Sequence, residues 1–100
     1  MLLKNLTKKF SKEIGNLNIR GLAIDSKKVK KGFIFFALKG SKFNGENYIR
    51  KAIKKGAVLI VCSKQNQFKS SQIFIIRTNK IKDLLSEITA KFYKEKGLMK

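Results

Sequence analysis

Histidine and proline are missing from this chain of 100 residues, and cysteine occurs once. Without histidine there is no imidazole for general acid–base catalysis or for metal ligation. The six acidic residues are scattered along the sequence, which argues against a carboxylate metal cluster. Cys62 lies inside an apolar run and cannot form an internal disulfide, so we interpret it as a buried small hydrophobe rather than a nucleophile. We assign no catalytic and no metal-binding residue to the sequence.

Long hydrophobic runs are also missing. The longest, residues 33–38 and 57–62, contain six residues each, whereas a membrane span needs about 20. Residues 1–10 have neither the long apolar core nor the small-residue cleavage site of a signal peptide. We therefore expect a cytoplasmic protein that does not enter a membrane. A chain of this size forms one domain with a modest core, burying roughly two-thirds of its unfolded surface.

Acidic residues are few against 24 lysines and arginines, and the formal net charge is +18. Lysines are spread along the whole chain and outnumber arginines 21 to 3. Solvent-exposed faces without a specific role would give the same distribution. The alternative is a functional attraction to anions, including a phosphorylated ligand, for which lysine serves as a point charge. Base-reading surfaces favour the planar fork of arginine, so we expect no specific nucleic-acid partner.

Short apolar runs between polar connections predict a small α/β domain with about four strands in a mostly parallel or mixed sheet and three helices, in the order α-β-β-α-β-β-α. The continuous apolar run 57–62 is typical of a central strand buried on both faces. The segment 33–62 fits one right-handed strand–helix–strand crossover. The predicted elements are a helix over 2–10, a polar connection over 12–18, strands over 19–24, 33–38, 57–62 and 73–76, a helix from 46 to 55, and a last helix after Thr78 or Asn79.

The two later helices carry recognisable signals. Asn44 is a candidate N-cap, and Glu46 would place a negative charge in the first turn. Gly56 suits the position just past a helix end. The last helix has apolar residues spaced three and four apart: Ile81, Leu84, Leu85, Ile88, Phe92 and Tyr93.

Two segments resemble known ligand-binding motifs but lack residues that those motifs require. Gly40 and Gly45 have the spacing of an ATP-binding phosphate loop, but Glu46 and Asn47 stand where that loop needs Lys and Ser or Thr. Residues 31–35, KGFIF, begin like an RNA-binding strand but lack the small fourth residue and the later aromatic. Alternation along a strand would also turn its phenylalanines to opposite faces, which predicts core packing instead of base stacking.

Polar residues cluster just past the ends of the first two predicted strands. Asp25, Ser26 and Lys27 follow the first strand, and a glycine-bounded loop over 39–45 follows the second. Ligands of α/β sheets bind outside the carboxyl ends of strands, so we place a candidate site there. From the residues alone, the Asp-Ser-Lys turn is equally well a purely structural turn, with side chains bonded to local amides.

Taken together, these residues resemble the N-terminal domain of the Mur ligases of peptidoglycan synthesis, most closely that of UDP-N-acetylmuramoyl-tripeptide synthetase. The resemblance covers nearly the whole chain. It is carried by Ile24-Asp25-Ser26-Lys27, Val29 to Gly40, Asn44-Gly45 to Tyr48-Ile49, Ala52-Ile53 to Gly56-Ala57, and Ala90-Lys91-Phe92-Tyr93.

The resemblance implies a set of substrate contacts. In the family, the residue before the aspartate and the serine of the turn touch the nucleotide-sugar, as do the three residues after the loop glycine. Here these positions are Ile24, Ser26, Ser41, Lys42 and Phe43, and we expect Asp25, Lys27, Gly40, Asn44 and Gly45 to support them. Lys27 stands where the family has arginine, which keeps the charge without the fork. Asn44 stands where the family has aspartate and keeps the turn.

The resemblance also implies a function. We expect a domain over residues 1–96 that binds the UDP-MurNAc part of UDP-N-acetylmuramoyl-L-alanyl-D-glutamate, for the ligase that adds diaminopimelate or lysine. Residues 97–100 would lead toward an ATP-binding central domain that lies outside these 100 residues. ATP and magnesium would belong to that domain, so we expect no cofactor in this chain, no ligase activity from it alone, and a monomer. The alternatives are the same domain of the D-Ala-D-Ala-adding ligase, and a basic nucleic-acid-binding module.

Overall fold

Four short strands form the middle layer of the computed structural model, which describes residues 1–7, 10–40 and 44–95. They are β1 (Gly21–Ala23), β2 (Phe33–Phe36), β3 (Leu59–Cys62) and β4 (Phe74–Arg77). All neighbours are parallel, in the spatial order β1-β2-β3-β4. The predicted α/β class and the predominantly parallel sheet are therefore confirmed. Because all four strands run the same way, their carboxyl ends lie at one edge of the sheet.

The central strands are buried on both faces, as the continuous apolar run predicted. All four residues of β3 are buried, and in β2 only Phe33 is partly exposed. The alternation of side chains along each strand sends neighbours to opposite faces. Such strands are stable only when both faces of the sheet are covered, and two separate apolar clusters cover them here.

Helices and the amino-terminal segment provide this cover. The helices are α1 (Lys12–Gly15), α2 (Ile49–Lys54) and α3 (Ile81–Glu95), and 3₁₀ turns occupy Leu3–Asn5, Ser26–Lys28 and Gly45–Tyr48. One face packs against α3 and the amino-terminal residues; the other packs against α2. Within the described ranges, no helix has the length and apolar character needed to cross a membrane.

The predicted helix over residues 2–10 is wrong. Only Leu3–Asn5 form a 3₁₀ turn, and the first α-helix is α1, inside the segment predicted to be a polar connection. The amide of Leu3 donates to the carbonyl of Leu17 at 2.9 Å, and that of Ile19 to Met1 at 2.6 Å. These long-range bonds take the amino-terminal backbone out of a helical ladder. Lys8 and Lys9 lie outside the described residues.

The remaining boundaries differ by a few residues. β1, β2 and β3 are each shorter than their apolar runs, and β4 is shifted by one residue to Phe74–Arg77. At β1 the cause is local: Ile24 leaves the sheet with 49% of its surface exposed, and a 3₁₀ turn begins at Ser26. The connection between β1 and β2 therefore contains a short 3₁₀ turn, Ser26–Lys28. The predicted helix from residue 46 begins as the 3₁₀ turn Gly45–Tyr48 before α2.

The aromatic residues of β2 fill the core, as predicted. Phe35 and Phe36 are fully buried and belong to the two different apolar clusters. Neither ring is therefore available to stack a base. Cys62 is also fully buried, and burial raises the pKa of its thiol although the Arg77 guanidinium, 3.5 Å from the sulfur, opposes the shift. This environment fits a core residue rather than a nucleophile.

Gly56 ends α2 in a conformation that favours glycine, with φ of +113°. A Cβ here would also lie 2.6 Å from the Cα and 2.9 Å from the amide nitrogen of Lys31. We predict that Gly56→Ala lowers the free energy of unfolding by about 2 kcal/mol or more, measured by urea denaturation. Gly15→Ala is the control, since Gly15 has no positive φ and the atom nearest to its added methyl would be the Lys4 Cβ at 3.2 Å. Equal losses in both variants would contradict the prediction.

Candidate functional site

An open cleft of about 710 Å³ lies at the carboxyl ends of β1 and β2. Its position agrees with the sequence-based placement of the site, and its size falls in the range of small-molecule sites, roughly 300–1,000 Å³. Nine described residues line it: Ile24, Asp25, Ser26, Lys27, Leu38, Lys39, Gly40, Tyr48 and Lys82.

The Asp25 turn forms one wall of the cleft. The Asp25 carboxylate oxygen Oδ1 accepts a hydrogen bond from the amide of Lys27 at 2.9 Å, which caps the 3₁₀ turn Ser26–Lys28. The backbone carbonyl of Asp25 accepts from the amide of Lys28 at 3.0 Å. The two bonds fix the backbone of Ser26 between them. The structural and the ligand-binding interpretations of the turn are therefore compatible, since Asp25 builds the turn while its neighbours line the cleft.

Ser26 is held in a constrained place. Only 4% of its surface is exposed, yet it lines the cleft. Its neighbours differ: Ile24 is 49% exposed and Lys27 is also exposed. A small hydroxyl at the base of the wall, with an apolar and a cationic side chain at its rim, can donate to and accept from a ligand.

The described start of the glycine-bounded loop, Lys39 and Gly40, also lines the cleft. Lys39 and Asn44 form an isolated antiparallel bridge, and the Gly45 amide donates to the Leu38 carbonyl at 2.7 Å. A Cβ on Gly45 would lie 2.9 Å from the Leu38 nitrogen, so the close approach of the loop's two ends requires glycine.

Asn44 caps the turn that follows the loop, as predicted, because its Oδ1 accepts from the Glu46 amide at 3.0 Å. Gly40 lines the cleft, whereas Asn44 and Gly45 hold the loop closed behind it. The predicted contacts Ser41, Lys42 and Phe43 lie outside the described residues.

Glu46 connects the loop to the end of β3. The Ser63 amide and hydroxyl both donate to Glu46 Oε2, at 3.1 and 2.6 Å, and Lys39 Nζ lies 3.5 Å from Oε1. Only 8% of the Glu46 side chain is exposed. The sequence placed Glu46 in the first turn of a helix, but its bond to Ser63 was not foreseen, because β3 and the loop are adjacent only in the folded sheet.

Burial alone would raise the pKa of Glu46. The two hydrogen bonds from Ser63 and the nearby Lys39 ammonium outweigh this effect, so the pKa lies below its ordinary value. The carboxylate therefore stays ionised and keeps the Lys39 end of the loop beside the cleft at neutral pH.

Sequence reasoning missed three residues that line the cleft: Leu38, Tyr48 and Lys82. Tyr48 was predicted only as part of the helix from 46 to 55, whereas in the structure it ends the turn Gly45–Tyr48 and lines the cleft together with Ser26. Lys82 comes from the first turn of α3, which follows β4 at the far edge of the sheet. No local signal points to Lys82, because only the path of α3 back across the sheet brings it to the cleft.

The cleft combines a net positive charge with apolar and aromatic surface. Three lysines, Lys27, Lys39 and Lys82, and one carboxylate, that of Asp25, are among its described lining residues. Ile24, Leu38 and the Tyr48 ring supply apolar surface beside them. This combination suits an organic ligand that carries negative charge.

The fold and this cleft together define a class of protein: a parallel α/β domain with a small-ligand site at the carboxyl ends of its strands. Comparison with known proteins is more specific. The sequence model of the Mur ligase family, catalytic domain, matches residues 18–93. The chain therefore belongs to the Mur ligase family, which confirms the resemblance derived from its sequence.

Two curated relatives illustrate the relationship. The chain is 40% identical over 62 residues to the UDP-N-acetylmuramoyl-L-alanyl-D-glutamate–2,6-diaminopimelate ligase of Aquifex aeolicus, covering 62% of this chain and 13% of that protein. It is 37% identical over 82 residues to the UDP-N-acetylmuramyl-tripeptide synthetase of Borrelia garinii, covering 80% of this chain and 16% of that protein. The chain thus corresponds to a small part of each relative.

Solved structures of the family share the fold. MurF ligase from Thermotoga maritima, solved in complex with ADP, is 26% identical, with a TM-score of 0.64 over 80% of this chain and 18% of that chain. MurF from Acinetobacter baumannii, at 19% identity, has a TM-score of 0.67 over 98% of this chain and 21% of that chain. The second likeness supports the fold alone.

We predict that Glu46 makes stability depend on pH. Because its pKa is lowered in the folded state, its stabilisation is complete above the ordinary glutamate value of 4.5 and is lost as pH falls through the folded-state value. Glu46→Gln should cost about 1 kcal/mol of unfolding free energy at pH 7 and much less at pH 3. Urea midpoints measured from pH 3 to 8 test this. The exposed Glu13→Gln serves as control, and parallel pH curves for wild type and Glu46→Gln would disprove the role.

Proposed function

We propose that this domain binds the uridine-nucleotide end of UDP-N-acetylmuramoyl-L-alanyl-D-glutamate, for the peptidoglycan-precursor ligase that adds diaminopimelate or lysine. One observation carries the proposal: Ser26 and Gly40, which the family resemblance assigns to the site and its support, line the same cleft of about 710 Å³. They come from the ends of two different strands, 14 positions apart in the chain.

The chemistry of the cleft supports a nucleotide. Uracil presents a flat ring with hydrogen-bonding edges, which matches a half-buried Tyr48 ring beside the Ser26 hydroxyl. Phosphates are anionic, which matches the surplus of lysines. Gly40 has no side chain, so the loop backbone can approach the ligand closely.

Two subclasses of the family compete for the parentage. The relatives at 37–40% identity are named for addition of diaminopimelate or for tripeptide synthesis. A solved neighbour at 18% identity is named as the D-alanyl-D-alanyl ligase. The higher identities favour the tripeptide-forming enzyme, and the D-Ala-D-Ala-adding enzyme remains the alternative. The substrates of both enzymes would have UDP-MurNAc at the same end, so the proposed contacts are the same for either enzyme.

The domain's part in ligation would be to hold the substrate. Activation of a carboxylate by ATP requires a phosphate-loop lysine and a magnesium ligand, and Glu46 and Asn47 occupy those positions after Gly45. We therefore propose that ATP and magnesium act at a different domain of the ligase, while the cleft fixes the nucleotide end. Holding one end of a long substrate lowers the entropic cost of aligning its other end.

A nucleic-acid-binding module is the second candidate, and its support is the net charge of +18. Its weakness is the burial of Phe35 and Phe36, which leaves β2 without the row of exposed rings that sheet-based RNA binders use for stacking. Charge alone predicts non-specific, strongly salt-dependent association.

We predict that Ser26→Ala weakens binding of UDP-MurNAc-dipeptide by about 1 kcal/mol, or roughly fivefold, because a hydroxyl contact is lost. Isothermal titration calorimetry gives the affinity, and circular dichroism confirms that the domain stays folded. Ser86→Ala, at an exposed position of α3, should change neither. Unchanged affinity in a folded Ser26→Ala variant would remove Ser26 from the site.

We further predict that salt separates the two candidates. Raising salt from 50 to 200 mM should weaken binding of an RNA duplex steeply, since phosphate contacts release counterions. Binding of UDP-MurNAc-dipeptide should change less, and uridine nucleotides should bind more tightly than cytidine or adenosine nucleotides. Equal binding of all bases, with the same steep salt dependence as RNA, would favour the nucleic-acid module.

A further inference from the structure

A second pocket, of about 460 Å³, adjoins the cleft. We call it the lysine pocket. It is lined by Ser26, Lys27, Tyr48, Lys51, Lys54 and Lys55. The first three of these residues also line the cleft. The two cavities are thus branches of one depression that meet at Ser26, Lys27 and Tyr48.

The sequence of α2 places its lysines on one side. Lys51, Lys54 and Lys55 are spaced three and four apart, which puts them on one face of the helix. All three are exposed, while Ile49 and Ala52 are buried against the sheet. Like charges this close together destabilise a helix. The helix dipole favours positive charge in the last turn, which offsets this destabilisation only in part.

The pocket carries charge without a matching counter-charge. Four lysines line it, and no acidic side chain is among the described residues that do so. The nearby Asp25 uses one carboxylate oxygen to accept from the Lys27 amide. Bringing four like charges around one concave surface raises the local potential and concentrates anions there.

Two of these lysines are held in place by defined contacts. Lys55 Nζ donates to the backbone carbonyl of Lys27 at 3.1 Å, which joins the end of α2 to the Ser26 turn. Lys51 Nζ lies 5.4 Å from the centroid of the Tyr48 ring, within cation–π range. Holding the ammonium groups in advance lowers the entropic cost of binding an anion.

The lysines on the other side of the cleft are less suited to this role. Lys39 Nζ lies 3.5 Å from the Glu46 carboxylate, which compensates its charge. Lys82 stands beside Asp83 at the start of α3, and both line a third, smaller cavity. The largest group of uncompensated positive charge near Ser26 is therefore in the lysine pocket.

We propose that the lysine pocket binds phosphate groups and, as part of the proposed function above, receives the diphosphate of the uridine nucleotide while the cleft holds its uridine. Ser26 and Tyr48 stand at the junction, so a ligand lying across them places its base in one branch and its phosphates in the other. This divides recognition between two walls: base identity is read on the β1–β2 side and phosphate charge on α2.

The test compares uridine and UDP as probes by calorimetry, on the whole 100-residue chain. We expect UDP to bind about tenfold more tightly than uridine. Lys51→Gln/Lys54→Gln should lower this ratio about threefold to tenfold, because two point charges are lost and helix propensity is kept. The matched control is Lys91→Gln/Lys94→Gln, with the same spacing on an exposed part of α3, which should keep the ratio within about twofold.

Three outcomes would overturn the proposal: an unchanged ratio in the Lys51→Gln/Lys54→Gln variant, an equal fall in the control, or a larger fall in Lys82→Gln. In each case uridine binding, and with it the proposed function, can stand. If uridine does not bind at all, the proposed function fails and pyrophosphate becomes the deciding probe. Pyrophosphate binding that is weakened at Lys51 and Lys54, but not in the control, supports the lysine pocket; equal binding by all variants overturns it.

Discussion

The structure depends on one constraint: its central strands are apolar on both sides. Phe35 and Phe36 leave β2 in opposite directions, and each is fully buried in a different cluster. A sheet of this kind is stable only between two covering layers. Here α2 covers one face, and α3 with the amino-terminal residues covers the other. Because all the strands are parallel, each connection must bring the chain back to the end of the sheet where the strands begin. The turns that follow the strands therefore lie together at the other end. The candidate site is a consequence of that arrangement, since its walls are the turn after β1 and the loop after β2.

Local hydrogen bonds hold the described turns of the site. Asp25 and Asn44 each accept from the amide two residues further on, at 2.9 and 3.0 Å, so both walls of the cleft contain the same kind of capped turn. Glu46 then joins one wall to β3 through Ser63. The bonds of Asp25 and Asn44 involve backbone and short side chains, which lose less entropy on ordering than long ones do. The lysines around the cleft are long and exposed, so the shape of the site is set by the turns and its charge by the lysines.

Several elements could be predicted from particular residues. Continuous apolar residues identified β3 as central, the three-and-four stripe identified α3, and Gly56 marked the end of α2. The same local patterns failed at the amino terminus, where Leu3 and Leu6 are spaced for a helix. Their backbone instead bonds to residues 17–19, and no local pattern contains that partner. The predicted strands were too long wherever an apolar residue, such as Ile24, continued the apolar run in the sequence but lay outside the sheet.

The sequence by itself determined the α/β class, the family and the Asp25-Ser26-Lys27 wall, because periodicity, turn residues and motif spacing are properties of neighbours in the chain. Only the tertiary structure decided that Tyr48 and Lys82 line the cleft, that Glu46 bonds to Ser63, and that the lysines of α2 adjoin Ser26. Those proximities arise from the parallel order of the strands and from the path of α3 across the sheet. They join residues far apart in the chain, and packing rather than local conformational preference brings them together.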